Sequence, residues 1–378
     1  MAGMSERVTV VAEAPLRVSF VGGGTDLPSF YESFGGEVIS LTLGFRVSVT
    51  VTGRTDRDIW VRLPVFPGPV GRTGVGKARL TPPTRLAGAT ASGGLELVRG
   101  AVDFLGGERG LDVTVRAQVP PGSGLGSSGA LTVALAGAIT GLRGRALEAE
   151  DAAELAYHVE ARACGSPVGK QDHYSAAFGG LNRITFLPRG QGIRVKRLDL
   201  GARRLDELTG RLLLFHTPRR SSSRVILGDQ NQRCKDIDRK TVGALNHLKA
   251  LCDPVERILQ EGDPAELGPI LDQAWRHKRA LASGITDPDL DAIYELAVSS
   301  GATGGKLCGA GAGGCFLFCC PPEDQEGLRR VLVGRGLVEY GVAASTRGLE
   351  VAILGEESAL TRLDDLARTD VAAGREDS

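Results

Sequence analysis

The stretch from Pro120 to Gly129 reads Pro-Pro-Gly-Ser-Gly-Leu-Gly-Ser-Ser-Gly, and it decides the fold. It follows an alternating run, Leu111 to Val119, that predicts a half-buried strand, and it precedes a run from about Ser128 to Gly141 that predicts a helix. Glycines let the backbone turn its N–H groups toward a ligand, and the helix adds unpaired N–H groups and a positive dipole end. This arrangement predicts an anion site, and the alternative is a tight turn without a ligand.

Two familiar nucleotide motifs do not match this loop. It lacks the GxxxxGK[ST] pattern of a Walker loop, and the two prolines before it do not fit a dinucleotide-binding GxGxxG turn. The hydroxyls of Ser127 and Ser128 are suited to contact a phosphate group or a Mg²⁺ ion.

Length and composition predict a globular protein of two domains. The chain has 378 residues, of which 42% are apolar and 24% charged. Its formal net charge of +0 gives no general attraction for nucleic acid or an anionic membrane. Neither a signal peptide nor a run long enough to span a membrane is recognisable, so we expect a cytoplasmic protein. The 7 cysteines lack paired CxxC spacing and are expected to be buried free thiols.

Strand and helix patterns interleave in both halves of the chain, which predicts α/β or α+β domains. A polar and basic stretch places the boundary near residue 195. The segment from Pro64 to Gly94 is rich in glycine, proline and threonine and is predicted to form a long surface loop or lid. Asp172 is expected in a loop broken by glycine and proline, and residues 367–378 form a polar tail.

Two further stretches accompany the glycine loop in a defined order. The first, Glu13 to Asp26, reads EAPLRVSFVGGGTD, and the last, Gly305 to Cys315, reads GKLCGAGAGGC. In this order the three stretches resemble the three motifs of the GHMP kinases, the superfamily of galactokinase, homoserine kinase and mevalonate kinase. Within it, the Gly-Gly-Gly-Thr-Asp ending at Asp26, the run from Gly169 to Gly180 and a Thr217…Arg-Ser-Ser stretch are most similar to the D-glycero-D-manno-heptose 7-phosphate kinases. Pro218 and His173 depart from the usual residues of that group, which have Gly and often Gln there.

The resemblance implies a two-domain α+β fold. Residues 1–195 would form an ATP-binding domain like domain 2 of ribosomal protein S5, and residues 196–366 a ferredoxin-like domain. ATP, Mg²⁺ and a sugar or sugar-phosphate substrate would meet in the cleft between them. The implied phosphate-loop residues are Pro121, Gly122, Ser123, Gly124, Leu125, Gly126, Ser127 and Ser128.

The resemblance also implies the catalytic groups. Ser128 and Glu160 would hold the metal, and Asp172 would be the base that accepts the proton of the attacking hydroxyl. Arg17 lies inside an apolar strand, where its charge needs a partner, and the resemblance pairs it with Asp172. From the residues alone, Glu160 could equally lie on a solvated helix face, and Arg17 could form a structural ion pair elsewhere.

Substrate contacts are predicted at three places. Gly24, Thr25 and Asp26 form a loop whose carboxylate suits vicinal sugar hydroxyls, although an aspartate there can also stabilise the turn itself. Lys170 either contacts substrate or is solvated, and Gly311 is implied to lie near the substrate.

A fourth predicted contact concerns the distal phosphate of a sugar phosphate. Arg220 and Ser221 at the start of a helical pattern offer a phosphate cradle, and the alternative is a solvated basic turn with serine caps. The resemblance implies phosphorylation of the anomeric hydroxyl of the heptose 7-phosphate. The alternatives are a kinase for an unphosphorylated sugar such as fucose or arabinose, and an inactive relative that acts as a regulator.

Overall fold

A computed structural model describes residues 8–66, 78–87, 93–105, 110–163, 165, 167–219 and 223–354. The strands are β1 (Thr9–Val21), β2 (Gly36–Gly53), β3 (Ile59–Arg62), β4 (Pro64–Val65), β5 (Arg79–Leu80), β6 (Thr84–Arg85), β7 (Leu111–Ala117), β8 (Leu181–Phe186), β9 (Ile193–Arg197), β10 (Leu212–His216), β11 (Gly304–Leu307), β12 (Cys315–Cys319), β13 (Val338–Tyr340) and β14 (Glu350–Leu354).

The helices are α1 (Pro28–Phe34), α2 (Gly94–Leu105), α3 (Ser127–Gly141), α4 (Ala149–His158), α5 (Gln171–Phe178), α6 (Gly201–Thr209), α7 (Ser223–Lys235), α8 (Arg239–Ala250), α9 (Cys252–Gln260), α10 (Leu267–Lys278), α11 (Pro288–Ser299) and α12 (Gln325–Gly334). A π-helical turn, Val159–Ala163, extends α4, and a 3₁₀ turn, Pro264–Glu266, precedes α10.

Strand β2 organises the larger sheet. Its first part, Gly36–Leu41, pairs with β8, and its later part, Val47–Gly53, pairs with β7, while β1 runs antiparallel along both parts. The strand order is β14-β1-β2-β7-β3-β6, and only β3 and β7 are parallel among the described strands. Strands β7 and β8 therefore both pair with the edge of β2 that faces away from β1.

An irregularity in β1 brings Arg17 to the functional region. The register with β2 shifts between Pro15 and Arg17, because proline has no N–H group for the ladder. The N–H group of Arg17 instead donates to the carbonyl oxygen of Leu125 at 3.0 Å. The strand is thereby tied to the glycine loop that precedes α3.

Helix α3 is buried along nearly its whole length between the sheet and neighbouring helices. Small residues permit this position, since Cβ atoms added at Gly137 and Gly141 would meet side-chain atoms of Val351 at 3.0 and 3.1 Å. A helix that is apolar all round is suited to such burial, so the sequence from Ser128 to Gly141 forms the predicted helix.

The second sheet has the predicted ferredoxin-like arrangement. Its strand order is β11-β12-β10-β13, all pairs are antiparallel, and helices connect β10 to β11 and β12 to β13. Trp275, Tyr294, Phe316 and Phe318 pack behind it with ring centroids 5.3–6.3 Å apart. The α+β prediction is confirmed for both sheets.

Strand β14 does not belong to this second sheet. It pairs antiparallel with β1, from Thr9 opposite Leu354 to Glu13 opposite Glu350. A boundary at residue 195 assigns this strand to the second domain, whereas its hydrogen bonds are with the first sheet. The chain thus returns to its starting sheet after building the second one.

Three sequence-based expectations require correction or lie outside the described residues. Asp172 is in the first turn of α5, next to the predicted loop. In the predicted lid, residues 67–77 and 88–92 lie outside the described residues, as does the tail 367–378.

The six cysteines that the structure describes are buried free thiols, as predicted. Within the same described ranges, no helix has the length and apolar character needed to cross a membrane.

Candidate active site

A cavity of about 670 Å³ lies between the larger sheet and the helices of the second half. Eleven of the predicted site residues line it: Arg17, Gly24, Asp26, Pro121, Gly122, Gly124, Gly126, Ser127, Ser128, Glu160 and Asp172. The three sequence motifs, far apart in the chain, therefore share one cavity.

Close backbone packing explains the glycines of the loop before α3. A Cβ atom at Gly124 would lie 2.7 Å from the carbonyl oxygen of Cys308, and one at Gly129 would lie 2.6 Å from Cβ of Asp172. Gly122, Gly124 and Gly126 all have left-handed φ angles, from 75° to 83°. The glycine loop before α3 thus packs directly on the third motif, while α3 packs on the start of α5.

Arg17 and Asp172 form an ion pair at the cavity wall. The Arg17 Nε and Nη2 atoms donate to Oδ1 of Asp172 at 2.8 and 2.5 Å, and Nη1 donates to the Gly124 carbonyl at 2.7 Å. The pairing implied by the resemblance is present in the structure. Both donors use Oδ1, and no donor of the described residues bonds to Oδ2 of Asp172. That oxygen is available to a hydroxyl group in the cavity.

Glu160 lies in the π-helical turn after α4 and is only 5% exposed. Its Oε2 atom is 2.9 Å from Nε2 of His173, and both residues line the cavity together with Ser128. A carboxylate oxygen and a hydroxyl are hard ligands that suit Mg²⁺, which usually takes one or two carboxylates and completes its shell with water and phosphate oxygens. The residues present therefore fit the implied metal, although the described residues contain no cluster of three or more His, Cys, Asp or Glu for a metal held by protein alone.

Asp26 is buried and serves the first loop as well as the cavity. Oδ1 accepts from the Gly24 N–H at 3.0 Å, and Oδ2 accepts from the Gln171 N–H at the start of α5, also at 3.0 Å. Burial, opposed by these hydrogen bonds and aided by the charge of Asp172, raises the pKa of Asp26. The turn-stabilising alternative for Asp26 is thus realised, and the side chain also faces the predicted substrate region.

Several predicted site residues are not brought to the cavity. Thr25 is fully buried and its hydroxyl pairs with the backbone of Glu37, so it fixes the loop against β2. Lys170 donates to both carboxylate oxygens of Glu154 at 2.6 and 2.8 Å and lies over the Tyr157 ring. Its ammonium group is therefore engaged by an ion pair away from the lining residues.

Ser123 and Leu125 are fully buried behind the loop and do not line the cavity, although their neighbours do. Gly311 lies just after the lining residue Ala310, and a Cβ atom there would meet Cα of Ile285 at 2.8 Å. Arg220 and Ser221, the predicted phosphate cradle, lie outside the described residues.

Two lysines that were given no role line the cavity. Lys278, at the end of α10, donates to the carbonyls of Leu307 and Gly309 at 2.6 and 2.5 Å. Lys306, in β11, donates to the carbonyls of Ser19 and Phe20 at 2.8 and 3.1 Å. Burial lowers the pKa of Lys278 to about 7 and that of Lys306 to about 8.

The sequence carried a signal for only one of these lysines. Lys306 lies inside a buried strand, so the reasoning that a charge there needs a partner, applied to Arg17, applies to it as well. Lys278 belongs to a basic last helical turn with Arg276 and His277, and such turns are usually solvated. Its burial depends on packing that the local sequence does not display.

Part of the cavity lining is apolar. Side chains of the first sheet and of helix α2 form it, namely Val47, Leu63, Leu97, Val115, Ala117 and Val119. An apolar pocket beside an anion-binding loop suits a planar heteroaromatic ring attached to phosphates.

Comparison with known proteins agrees with this architecture. The family model for the GHMP kinases N terminal domain matches residues 96–180, and that for the GHMP kinases C terminal domain matches residues 255–335. The chain therefore contains both GHMP kinase domains, in the order N-terminal then C-terminal, and has the GHMP kinase fold.

Some of the similar proteins are sugar kinases by name, and others, such as one from Pyrococcus horikoshii, are mevalonate kinases. A D-glycero-alpha-D-manno-heptose 7-phosphate kinase of Campylobacter jejuni is 28% identical over 335 residues, which cover 86% of this chain and 93% of that protein. An L-fucokinase/L-fucose-1-P guanylyltransferase of Bacteroides fragilis is 25% identical over 341 residues, 85% of this chain but 35% of that protein. A crystal structure of a D-glycero-D-manno-heptose 1-phosphate kinase from Bacteroides thetaiotaomicron has the same fold, with a TM-score of 0.69, 22% identity, and coverage of 91% of this chain and 98% of that one. These relatives support kinase activity.

Proposed function

We propose that this protein is an ATP-dependent sugar kinase that phosphorylates the anomeric hydroxyl of D-glycero-D-manno-heptose 7-phosphate. The observation that carries the kinase proposal is the Arg17–Asp172 ion pair beside the glycine loop, with one oxygen of Asp172 available in the cavity. Phosphoryl transfer needs mainly positioning and charge stabilisation, and the cavity offers a base, a phosphate loop and cations together.

Asp172 has the proposed role of proton acceptor. Its Oδ1 atom is fixed by Arg17, so Oδ2 is the oxygen that would accept the hydroxyl proton as the new O–P bond forms. Arg17 also donates to the Gly124 carbonyl, which couples the position of the base to that of the phosphate loop. A misplacement of either group would cost rate through lost orientation.

Ser128 and Glu160 are the residues proposed to hold Mg²⁺. When bound, the ion neutralises charge on the phosphate oxygens of ATP. His173 fixes the orientation of the Glu160 carboxylate through the hydrogen bond at Oε2. The N–H groups of the loop from Pro121 to Ser128 would bind the phosphates, and the apolar part of the cavity lining would take the adenine ring.

The heptose phosphate assignment rests on the kinase of C. jejuni and on the Gly-Gly-Gly-Thr-Asp loop ending at Asp26. A second candidate is an unphosphorylated sugar, favoured by the similarity to the fucokinase-containing protein of B. fragilis. An inactive regulator is disfavoured because Arg17, Ser128, Glu160 and Asp172 all line the cavity. Arg220 and Ser221 remain a predicted cradle for the distal phosphate.

Release of ADP with a panel of sugars tests the proposal. The panel contains heptose 7-phosphate, the unphosphorylated heptose, fucose and arabinose, each with ATP and Mg²⁺ and with Asp172→Asn as the blank. We expect turnover with heptose 7-phosphate and much less with the other sugars. Preferred turnover of an unphosphorylated sugar would transfer the assignment to the second candidate, and no turnover with any sugar would contradict a sugar kinase.

A further inference from the structure

Among the described residues that line the cavity, three basic side chains are buried, and one of the three has a carboxylate partner. Arg17, Lys278 and Lys306 are 3%, 8% and 4% exposed. Arg17 binds Asp172, whereas the two lysines donate only to carbonyl oxygens among the described residues. A buried cation without a counter-charge is costly, and carbonyl dipoles compensate for it only in part.

Each lysine also retains bonding capacity. In its protonated form each side chain has three N–H donors and the described residues accept two of them, so the ammonium form of each lysine keeps one donor for a ligand. Both side chains line the cavity. The two remaining donors are therefore available to a ligand there.

The lysines lie next to the phosphate loop. Lys278 binds the carbonyl of Gly309, and a Cβ atom on Gly309 would be 2.6 Å from Cα of Gly124. Arg17 binds the carbonyl of that same Gly124. Arg17 of β1, Lys278 of α10 and Lys306 of β11 thus lie close to the place where the glycine loop before α3 meets the third motif.

The groups around Lys278 add positive charge. Lys306 and Arg17 both lower its pKa, after the larger effect of burial. Burial raises the pKa of the nearby Cys308 thiol, which therefore stays neutral. On the α8 side, His247 stacks on His277 at 4.5 Å. The carboxylates that line the same cavity, Asp26, Glu160 and Asp172, are engaged as described.

We propose that Lys278 and Lys306 form an anion subsite that binds a phosphate group inside the cavity. The inference deepens the proposed function, on which it rests for the source of the phosphate. That source is either the phosphate ester of the acceptor or the terminal phosphate of the nucleotide. The bound anion provides the counter-charge that the protein itself does not supply, and Lys278 becomes protonated as it binds.

Sulfate is a suitable probe because it does not titrate near neutral pH. Calorimetry in buffers of different ionisation enthalpy, at about pH 7.5 and without nucleotide or sugar, measures both affinity and proton uptake. The wild type should bind sulfate and take up protons as it binds, because burial lowers the pKa of free Lys278 to about 7 and a bound anion raises it. Lys278→Met should lose that uptake and bind sulfate about tenfold or more weakly, as expected for a lost hydrogen bond to a charged group.

Two further variants separate the proposal from other readings. Lys278→Arg should bind sulfate without proton uptake, because guanidinium stays protonated, and it replaces the methionine variant if that one fails to fold. Lys249→Met is the matched control, because Lys249 also donates to two carbonyls, those of Phe34 and Gly35, but does not line the cavity. Its sulfate affinity and proton uptake should equal those of the wild type.

Ligand pairs then identify the source of the phosphate. A loss of affinity in Lys278→Met for heptose 7-phosphate, but not for the unphosphorylated heptose, assigns the subsite to the acceptor. A loss for a non-hydrolysable ATP analogue, but not for AMP, assigns it to the nucleotide. Sulfate binding that is absent in the wild type, or equal in affinity and proton uptake in Lys278→Met, would overturn the subsite. These measurements need no turnover, so they remain informative if the sugar assignment fails.

Discussion

Two carboxylates in the cavity differ in partner and in exposure. Asp172 is 24% exposed and is held through one oxygen by the guanidinium of Arg17. The Glu160 side chain is 7% exposed and is held through one oxygen by the imidazole of His173. In each case the second oxygen remains for a ligand, but Asp172 starts α5 while Glu160 lies in a π-helical turn.

This difference indicates how one cavity can assign two tasks to the same functional group. A permanently charged partner fixes the ion pair of Asp172 beside the acceptor region, which suits a group that exchanges a proton with a hydroxyl. A histidine partner fixes direction without demanding a full counter-charge, which leaves the charge of a carboxylate for a cation. Single substitutions can therefore separate proton transfer from metal binding.

The largest effect is expected at Asp172. Asp172→Asn removes the proton acceptor while keeping its size, so kcat should fall by roughly 10²–10⁴-fold with nucleotide affinity unchanged. Steady-state kinetics and calorimetric titration of an ATP analogue measure the two quantities. Asp112→Asn is the control, because Asp112 has similar exposure and also pairs with an arginine, Arg54 at 3.0 Å, but lies outside the cavity. Near-normal turnover of Asp172→Asn would exclude Asp172 as the base.

Glu160→Gln and Ser128→Ala probe the other task. Each should raise the Mg²⁺ concentration for half-maximal rate, Glu160→Gln by more than about tenfold because it removes a charged oxygen ligand. Binding of Mn²⁺ in the presence of an ATP analogue, followed by electron paramagnetic resonance, gives a readout independent of rate. Glu256→Gln is the control, since Glu256 is also a buried, ion-paired glutamate, outside this cavity. Unchanged metal titrations in both test variants would locate the ion elsewhere.

A smaller effect is expected at the partner of Glu160. His173→Leu should weaken metal affinity by about 10-fold, the lower end for partners that orient a ligand. His173→Gln should restore most of it, because the glutamine amide can donate the same hydrogen bond to Glu160. The ratio of the two variants in the Mn²⁺ titration distinguishes orientation from packing. If leucine and glutamine behave alike, the hydrogen bond at Oε2 has no role in metal binding.

The smallest effect concerns a third carboxylate, Asp26, whose partners are backbone N–H groups. Burial raises its folded-state pKa above 3.8, so the native protein binds a proton over a pH range in which the unfolded chain is already ionised. Stability should therefore fall as pH rises through that range, by about 1.4 kcal/mol for each unit by which the pKa is raised. Urea unfolding of the wild type and Asp26→Asn between about pH 4 and 7 measures the difference in slope. If stability depends on pH equally in the wild type and in Asp26→Asn, the pKa of Asp26 is not raised by folding.

Much of the site could be predicted from residue patterns. The strand, the glycine loop and the helix around Gly124 follow local sequence rules. The three motifs, taken in order, predicted residues that line the cavity. The Arg17–Asp172 pair required the resemblance, because no local pattern links β1 to α5. The glycine loop was predicted to approach a ligand, whereas the close approaches at Gly124 and Gly129 are to Cys308 and Asp172, which tertiary packing brings there.

The remaining features depend on contacts between distant segments. Lys170 lies two residues before Asp172 in the sequence, yet its ion pair with Glu154 holds its ammonium group away from the cavity. Thr25 resembles a ligand-binding hydroxyl, but it bonds to the backbone of β2. Lys278 has no local signal in the sequence, and it is buried because α10 packs on β11. Charge and hydroxyl content can be seen in a sequence, whereas the direction of each side chain cannot.

The return of β14 to the first sheet has a consequence for how the protein is made. Strand β1 is synthesised well before β14, so the β1 edge that β14 pairs with stays open until β14 has been made. Open strand edges recruit other strands, so a nascent or truncated chain that ends before Glu350 exposes an aggregation-prone edge. Val351 also packs on Gly137 and Gly141 of α3, the helix behind the phosphate loop. Synthesis of β14 is therefore the step that completes the pairing of β1 in the first sheet.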